Sequence, residues 1–170
     1  MLDARTKART LRAIERALRF LAKAQRSDGS WLPLWFGNEH APDDENPLYG
    51  TAHVVVALRE LRIRGFDIRE PMLPDAVRWV AQAQGADGGW SGAKGGPASV
   101  EETALVVEAL AGTAEVSAVN RGAQWLVERV ESGAWREPAP IGFYFAKLWY
   151  YERLYPMIWT VGALGKVAAL

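Results

Sequence analysis

One phrase is written twice in this chain: QRSDGSW at residues 25–31 and QGADGGW at residues 84–90. A third stretch, VESGAW, ends on Trp135 in a similar way. Each phrase closes a run of helical periodicity, breaks at a glycine and finishes on an indole. Upstream the three units also align. An aromatic (Phe20, Trp79, Trp125) is followed by an aliphatic, and five residues after the aromatic stands Gln25, Gln84 or Val130. A glutamine at a helix C-terminus lies among carbonyls that lack helical partners, and its amide can donate to them while accepting elsewhere. The turn then reverses the chain, and the Trp folds back, buries its ring and stacks on the amide. Each unit is therefore expected to be a helical hairpin pinned at its turn by Gln25 and Trp31, by Gln84 and Trp90, or by Trp135. Hairpins repeated in this way stack side by side.

The rest of the chain fits an all-α reading. Residues 3–25 predict an amphipathic helix with Leu11, Ile14, Leu18 and Leu21 as its buried stripe, and Gly29 breaks it. A proline-containing loop over 32–48 precedes a second helix over about 51–62. Asp75 is expected to cap a third helix over 76–84. Ser99, with Glu102 three residues on, reads as a capping box for a fourth helix over 100–112. A fifth helix is expected over 117–130, and two more in the closing segment, with Pro156 starting or kinking the last. No strand is expected, because the β-branched residues sit in helical rather than alternating periodicity.

Composition narrows the function classes. The 170 residues suit one domain, residues 1–170, with a sizeable core. A formal net charge of zero argues against nucleic acid as a partner. The absence of cysteine removes disulfides, thiolate zinc sites and cysteine nucleophiles together. Neither a leader nor a membrane-spanning run is expected from the sequence, so the cytoplasm is the expected location, with peripheral membrane contact as an addition.

The repeats resemble the QW repeats of the squalene-hopene cyclase and oxidosqualene cyclase family. The likeness extends to DGSW followed by YGT (Tyr49, Gly50, Thr51), to DGGWSG followed by SVEETALVVEALAG, and to the closing GFYFAKLWYYERLYPMIWTVGALG. These motifs cover the chain in the family's order and are similar to its C-terminal portion. The resemblance implies an α/α toroid, here a partial one of about three hairpins. It also implies the chemistry of terpene cyclases, in which aromatic faces steady carbocations without quenching them. The family's acid lies in an Asp-x-Asp-Asp motif that this chain lacks; APDDEN at 41–46 has the wrong spacing. The chain is accordingly expected to supply aromatic cavity wall for an apolar isoprenoid and to be inactive alone. The alternatives are a non-catalytic module that binds an apolar ligand or a partner protein, and a protein prenyltransferase subunit. The last is disfavoured because its zinc site needs a cysteine.

The resemblance points to Tyr49, Phe143, Tyr144, Phe145, Trp149 and Tyr151 as cavity-lining residues, with Tyr150 in the same aromatic cluster. Helical spacing would put Phe145 with Trp149, and Tyr144 with Tyr151. No catalytic residue, metal or cofactor is assigned: His40 with Asp43, Asp44 and Glu45 lacks a further ligand at typical spacing, and His53 reads as a core or cavity-edge histidine. Gln25, Trp31, Gln84, Trp90 and Trp135 are read as structural clamps. The stripe Arg5, Arg9, Arg12, Arg16, Arg19, Lys23 and Arg26 reads as a solvated face or, alternatively, as a surface for anionic lipid headgroups. Open helical edges are expected to favour self-association.

Overall fold

The computed structural model describes residues 2–139, 141–143 and 148–170. Six helices carry the fold: α1 (Ala4–Ala24), α2 (Pro47–Ile63), α3 (Met72–Gln82), α4 (Val100–Leu110), α5 (Val116–Ser132) and α6 (Tyr155–Ala168). They form two layers. The helices α2, α4 and α6 stand side by side with α4 in the middle, and α3 and α5 pack behind them on α2 and α4. Ten of the eleven residues of α4 are buried; only Glu108 reaches a surface. A helix that is buried all round is the centre of its core.

The two Gln-to-Trp turns are built alike. Gln25 Nε2 donates to Gly29 O at 3.0 Å and to Met72 O at 2.8 Å. Gln84 Nε2 donates to Gly88 O at 2.8 Å and to Ala118 O at 3.0 Å. Each glutamine thus closes its own turn and grips the start of the next outer helix. The indole serves the helix end instead, as a second donor to a carbonyl that already accepts a backbone N–H (from Gln25 at Leu21, from Ala83 at Val80): Trp31 Nε1 donates to Leu21 O at 2.8 Å and Trp90 Nε1 to Val80 O at 2.9 Å. That division of labour corrects the expectation that glutamine would serve its own helix end. The Trp amides in turn donate to Thr51 Oγ1 and Thr103 Oγ1, both at 2.9 Å, which fixes the returning helix. Gly29 and Gly88 lie at φ of +96° and +94°, the left-handed conformation these turns require.

Adjacent units are also joined through the aromatic five residues before Gln84 and before Val130. Trp79 Nε1 donates to Asp28 Oδ2 at 3.2 Å, and Trp125 Nε1 to Asp87 Oδ2 at 3.1 Å. Burial alone would raise the pKa of Asp28. Hydrogen bonds from Ser30, the Arg26 charge and the Trp79 indole outweigh it and hold the carboxyl below its usual value. Gly122 on α5 leaves the space that Trp90 fills, since a Cβ there would come within 2.5 Å of the indole.

The third unit departs from this pattern. Val130 replaces the glutamine and stays exposed, the interval to Trp135 is one residue shorter, and the turn is a 3-10 segment, Ala134–Arg136, entered through Gly133. Trp135 packs partly buried against the core with the Arg136 guanidinium 4.4 Å over its ring.

Several local expectations are corrected. No residue of α1 is buried; Leu18 and Leu21 pack partly against the core while Leu11 is exposed, because no other helix layer covers that face. Asn46, not a residue nearer Thr51, caps α2 by accepting from Tyr49 N. The third helix starts at Met72 after Pro71, so Asp75 lies inside its first turn and pairs with Arg78. Ser99 caps α4 as expected, accepting from Glu102 N, but its own amide donates to Trp90 O. Glu102 therefore turns to other donors. Its Oε2 accepts from Ser99 Oγ at 3.0 Å, and its Oε1 from Asn38 at 2.9 Å and Asn46 at 2.7 Å. Strands are present as well. The segments β1 (Phe36–Gly37), β2 (Ile141–Phe143) and β3 (Leu148–Tyr150) form a small antiparallel sheet in that order. The closing segment thus holds one described helix, not two.

Replacing Gln84 with alanine leaves Gly88 O and Ala118 O without their donor in a part-buried site. Urea unfolding is expected to register a loss of about 1–3 kcal/mol. A neutral result would remove the glutamine from the account of what joins the units.

Candidate functional site

The matching Trp-to-threonine bonds set Thr51 of α2 in register with Thr103 of α4. Two residues earlier stand Tyr49 and Glu101. On an α-helix two residues turn the side chain by about 200°. Both residues therefore project away from the outer layer, onto the inner face of α2, α4 and α6. Glu108, seven residues beyond Glu101, shares that face.

Aromatic rings gather at the N-terminal end of this face. The Tyr49 ring lies 4.8 Å from Phe36 and 4.5 Å from His53, centroid to centroid. It also reaches Trp159 on α6 at 6.3 Å, although α4 stands between the two helices. Trp159 in turn stacks on Tyr155 at 5.1 Å, the pair being one helical turn apart on α6. These rings come from three separate regions of sequence, brought together because the sheet ties residues 36–37 to the closing segment. The Tyr49 hydroxyl is pushed up to about 12, first by burial and then by the nearby Tyr155 and Tyr150. Burial also raises Tyr150, with Tyr155 reinforcing it. Tyr49 is thus a neutral aromatic surface at any physiological pH.

Further along the face the chemistry changes. Lys166 of α6 pairs with Glu108 of α4 at 3.3 Å. Packing of the ring lowers the His53 pKa, and the Glu108 charge opposes that shift only in part. Below it, Arg59 spends its guanidinium on Ala109 O and Ala111 O, tying α2 to the C-terminal end of α4 at 2.6 and 2.5 Å.

Level with Tyr49, on α4, stands Glu101. It is 1% exposed, and its Oε2 has no hydrogen-bond partner. Desolvation raises its pKa to about 7, a backbone hydrogen bond opposes the shift and the neighbouring Glu102 adds to it. An unpaired carboxylate in such a place is costly, so the group holds its proton to a higher pH than an exposed glutamate does. Thr160 Oγ1 on α6 is the other buried side-chain atom without a partner among the described residues.

Of the cavity-lining residues expected from the sequence, Tyr49 stands at the centre of the ring cluster. Trp149 and Tyr150 lie on β3, part-buried, and Tyr151 follows the strand with 39% of its surface exposed. Phe143 holds the β2 position paired with both Phe36 and Leu148. Strand geometry replaces the helical spacing expected for Trp149. Tyr144 and Phe145 lie outside the described residues. Sequence reasoning missed Phe36, Tyr155, Trp159 and Glu101. The available signals were the Tyr155–Trp159 spacing across Pro156 and the offset that sets Glu101 in register with Tyr49.

Two clefts, of about 420 and 760 Å³, lie elsewhere. The first runs between the 38–40 loop, where His40 stands beside Glu39, and Trp125 with Arg129. The second borders the glycine-rich loop over 91–98. Neither is lined by the aromatic cluster, which is an open wall. The basic residues Arg5, Arg9, Arg12, Arg16 and Arg19 are exposed along α1. Among the described residues no helix is long and apolar enough to cross a membrane.

A family model, the squalene-hopene cyclase C-terminal domain, matches residues 1–169. A probable squalene–hopene cyclase of Sinorhizobium fredii is 29% identical over 165 residues, covering 86% of this chain and 24% of the relative. A squalene–hopene cyclase of Zymomonas mobilis is 28% identical, covering 83% and 23%. An ent-copalyl diphosphate synthase of Streptomyces sp. strain KO-3988 is 31% identical, covering 92% and 28%. The chain therefore spans about a quarter of the length of these relatives.

The raised acid has a direct consequence for stability. A carboxyl whose folded pKa lies above its unfolded value stabilises fully below the unfolded value and loses that contribution as pH rises to the folded one. Between about pH 4.5 and pH 7 the Glu101 contribution should thus fall, by roughly 3 kcal/mol. Glu101→Gln is expected to flatten this slope and to exceed the parent chain in stability at pH 8. Identical urea midpoints for the two chains across that range would contradict the assignment.

Proposed function

The chain belongs to the squalene-hopene cyclase C-terminal domain family, and on that premise we propose that it forms the C-terminal wall of a terpene-cyclase cavity. The observation that carries the reading is the meeting of Tyr49 and Trp159 across α4, with Phe36 and Tyr155 extending the surface. Such a wall suits an isoprenoid. Ring faces offer large apolar contact area and attract positive charge through their quadrupoles. They carry no base that would end a cation's life early, and the Tyr49 hydroxyl stays un-ionised.

The wall is proposed to receive and shape the ligand and to leave initiation to another segment. Protonating an alkene needs a strong acid, which in this family resides in the Asp-x-Asp-Asp motif missing from these 170 residues. Glu101 does not substitute for it. A raised pKa keeps the proton on but makes the group a weaker donor, and the side chain is sealed from contact.

Titration with farnesol, a neutral isoprenoid, is expected to change the intrinsic tryptophan fluorescence of the chain. Trp159→Leu should weaken binding about tenfold, the equivalent of losing about 1.4 kcal/mol of ring contact. Incubation with squalene, followed by gas chromatography and mass spectrometry of the extract, is expected to return squalene unchanged. A fluorescence signal that farnesol leaves untouched would sink the binding role, and cyclised product from the chain alone would overturn the assignment of initiation elsewhere.

A further inference from the structure

We infer that two copies of this chain associate through α1, the helices running antiparallel with Leu11 of each copy against Ile14 of the other. The inference is independent of the reading of the inner face.

The pattern of α1 carries it. Ala4, Leu11 and Leu18 recur at intervals of seven, and Lys7, Ile14 and Leu21 interleave with them at the same interval. Such a repeat is the a and d seam of a two-stranded coiled coil. Small side chains flank the seam at Ala8, Thr10, Ala17, Ala22 and Ala24, with Glu15 as the charged exception, so a second helix can approach closely. The basic stripe from Arg5 to Lys23 falls at the b and f positions, on the side away from the seam. Yet no residue of α1 is buried. Of the seam, Leu18 and Leu21 pack against the core in part, while Leu11 is 40% exposed. Over about its first three turns the helix presents a seam without a second strand.

A reversed copy of the same helix fits that seam. Setting Leu11 on Ile14 of the other copy also sets Lys7 on its Leu18 and Ala4 on its Leu21, so each a position meets a d position. Lys7 can lay its stem along Leu18 and keep its ammonium in water. Charge selects the same orientation. Residues 1–26 hold eight Lys and Arg against two Asp and Glu, a net charge of +6, whereas residues 27–170 hold twelve against eighteen, a net charge of −6. The acidic segment 39–45, with Glu39, Asp43, Asp44 and Glu45, lies by the C-terminal end of α1, where Arg26 and Glu45 pair at 3.6 Å. Antiparallel helices bring the basic N-terminal end of each copy toward this acidic end of the other. Parallel helices would bring two basic ends together. Among the described residues Arg5 and Arg9 make no ion pair that association would have to break.

Sedimentation velocity of the chain across a concentration series tests this. A reversible monomer–dimer equilibrium is expected, with a Kd on the order of 10 μM for so small an interface. Leu11→Asp should weaken it about tenfold or more and leave the circular dichroism spectrum unchanged. Val161→Asp, at a position of α6 that is 73% exposed, should leave the equilibrium as it is. The chain has no cysteine, so introduced thiols report the orientation directly. Ala4→Cys mixed with Leu21→Cys should give a disulfide-linked dimer under mild oxidation, and neither variant alone should. A chain that stays monomeric throughout the series overturns the inference, as does a dimer that Leu11→Asp leaves intact or that Val161→Asp dissolves. Ala4→Cys cross-linking to itself as readily as to Leu21→Cys shows parallel helices and also overturns it. A chain that is monomeric alone but sediments with phosphatidylglycerol vesicles assigns α1 to a lipid surface and overturns pairing with a second copy.

Discussion

Everything in this molecule hangs on what happens to the last carbonyls of α1 and α3. A helix ending in the interior leaves acceptors that water cannot reach. Here an indole N–H from beyond the turn joins a backbone N–H on one of them in each helix, Leu21 O and Val80 O. The exchange solves two problems at once. It ties the returning chain to the helix end, and it lets Trp31 and Trp90 be buried to 4% and 0% exposure without stranding their own donors. The glutamines then bind outward, to Met72 and Ala118 in the following unit. Each turn is thereby fastened to the helix before it, to the inner helix after it through threonine, and to the next outer helix. Stacked repeats derive their stability from such neighbour contacts, and in this chain the neighbours are joined by directional bonds as well as by packing.

Because the threonine bonds are equivalent, they also set the height of each inner helix. The register of Thr51 with Thr103 determines that Tyr49 and Glu101 stand level on adjacent helices. A structural device on the outer side of the fold thus dictates what chemistry lines its inner side. The N-terminal end of that face becomes aromatic, and the part bearing Glu108 and Lys166 becomes polar.

The parts legible in the sequence were those that repeat. The Gln-to-Trp phrases, read as hairpin turns, led to the helical architecture and to the family. Ser99 and Glu102 announced the start of α4, and Tyr49 was singled out by the YGT motif. What stayed hidden was non-local. Nothing in the periodicity of 148–150 distinguishes a strand from a helix, because its pairing partner is residues 141–143, themselves paired with residues more than a hundred positions earlier. Trp159 was overlooked because its significance depends on Tyr49 lying across α4. The apolar stripe of α1 shows the opposite error. Amphipathic periodicity says which face would be buried and cannot say whether another element arrives to bury it, and here only Leu18 and Leu21 meet the core, each in part.

The third unit explains why the aromatic wall closes where it does. With Val130 in place of glutamine and a shorter turn, α5 has no donor aimed at a following outer helix. The chain instead returns through β2, which pairs on one side with β1 of the first unit's loop and on the other with β3. That pairing draws Phe36 toward Tyr49, while Pro156 in the first turn of α6 starts the helix that presents Tyr155 and Trp159. The lost latch and the gained sheet are therefore two sides of one change: where the repeat stops propagating outward, the chain folds inward. The rings it brings together, Phe36, Tyr49, Tyr155 and Trp159, come from three separate regions of the sequence, and this inward return is what sets them against one another.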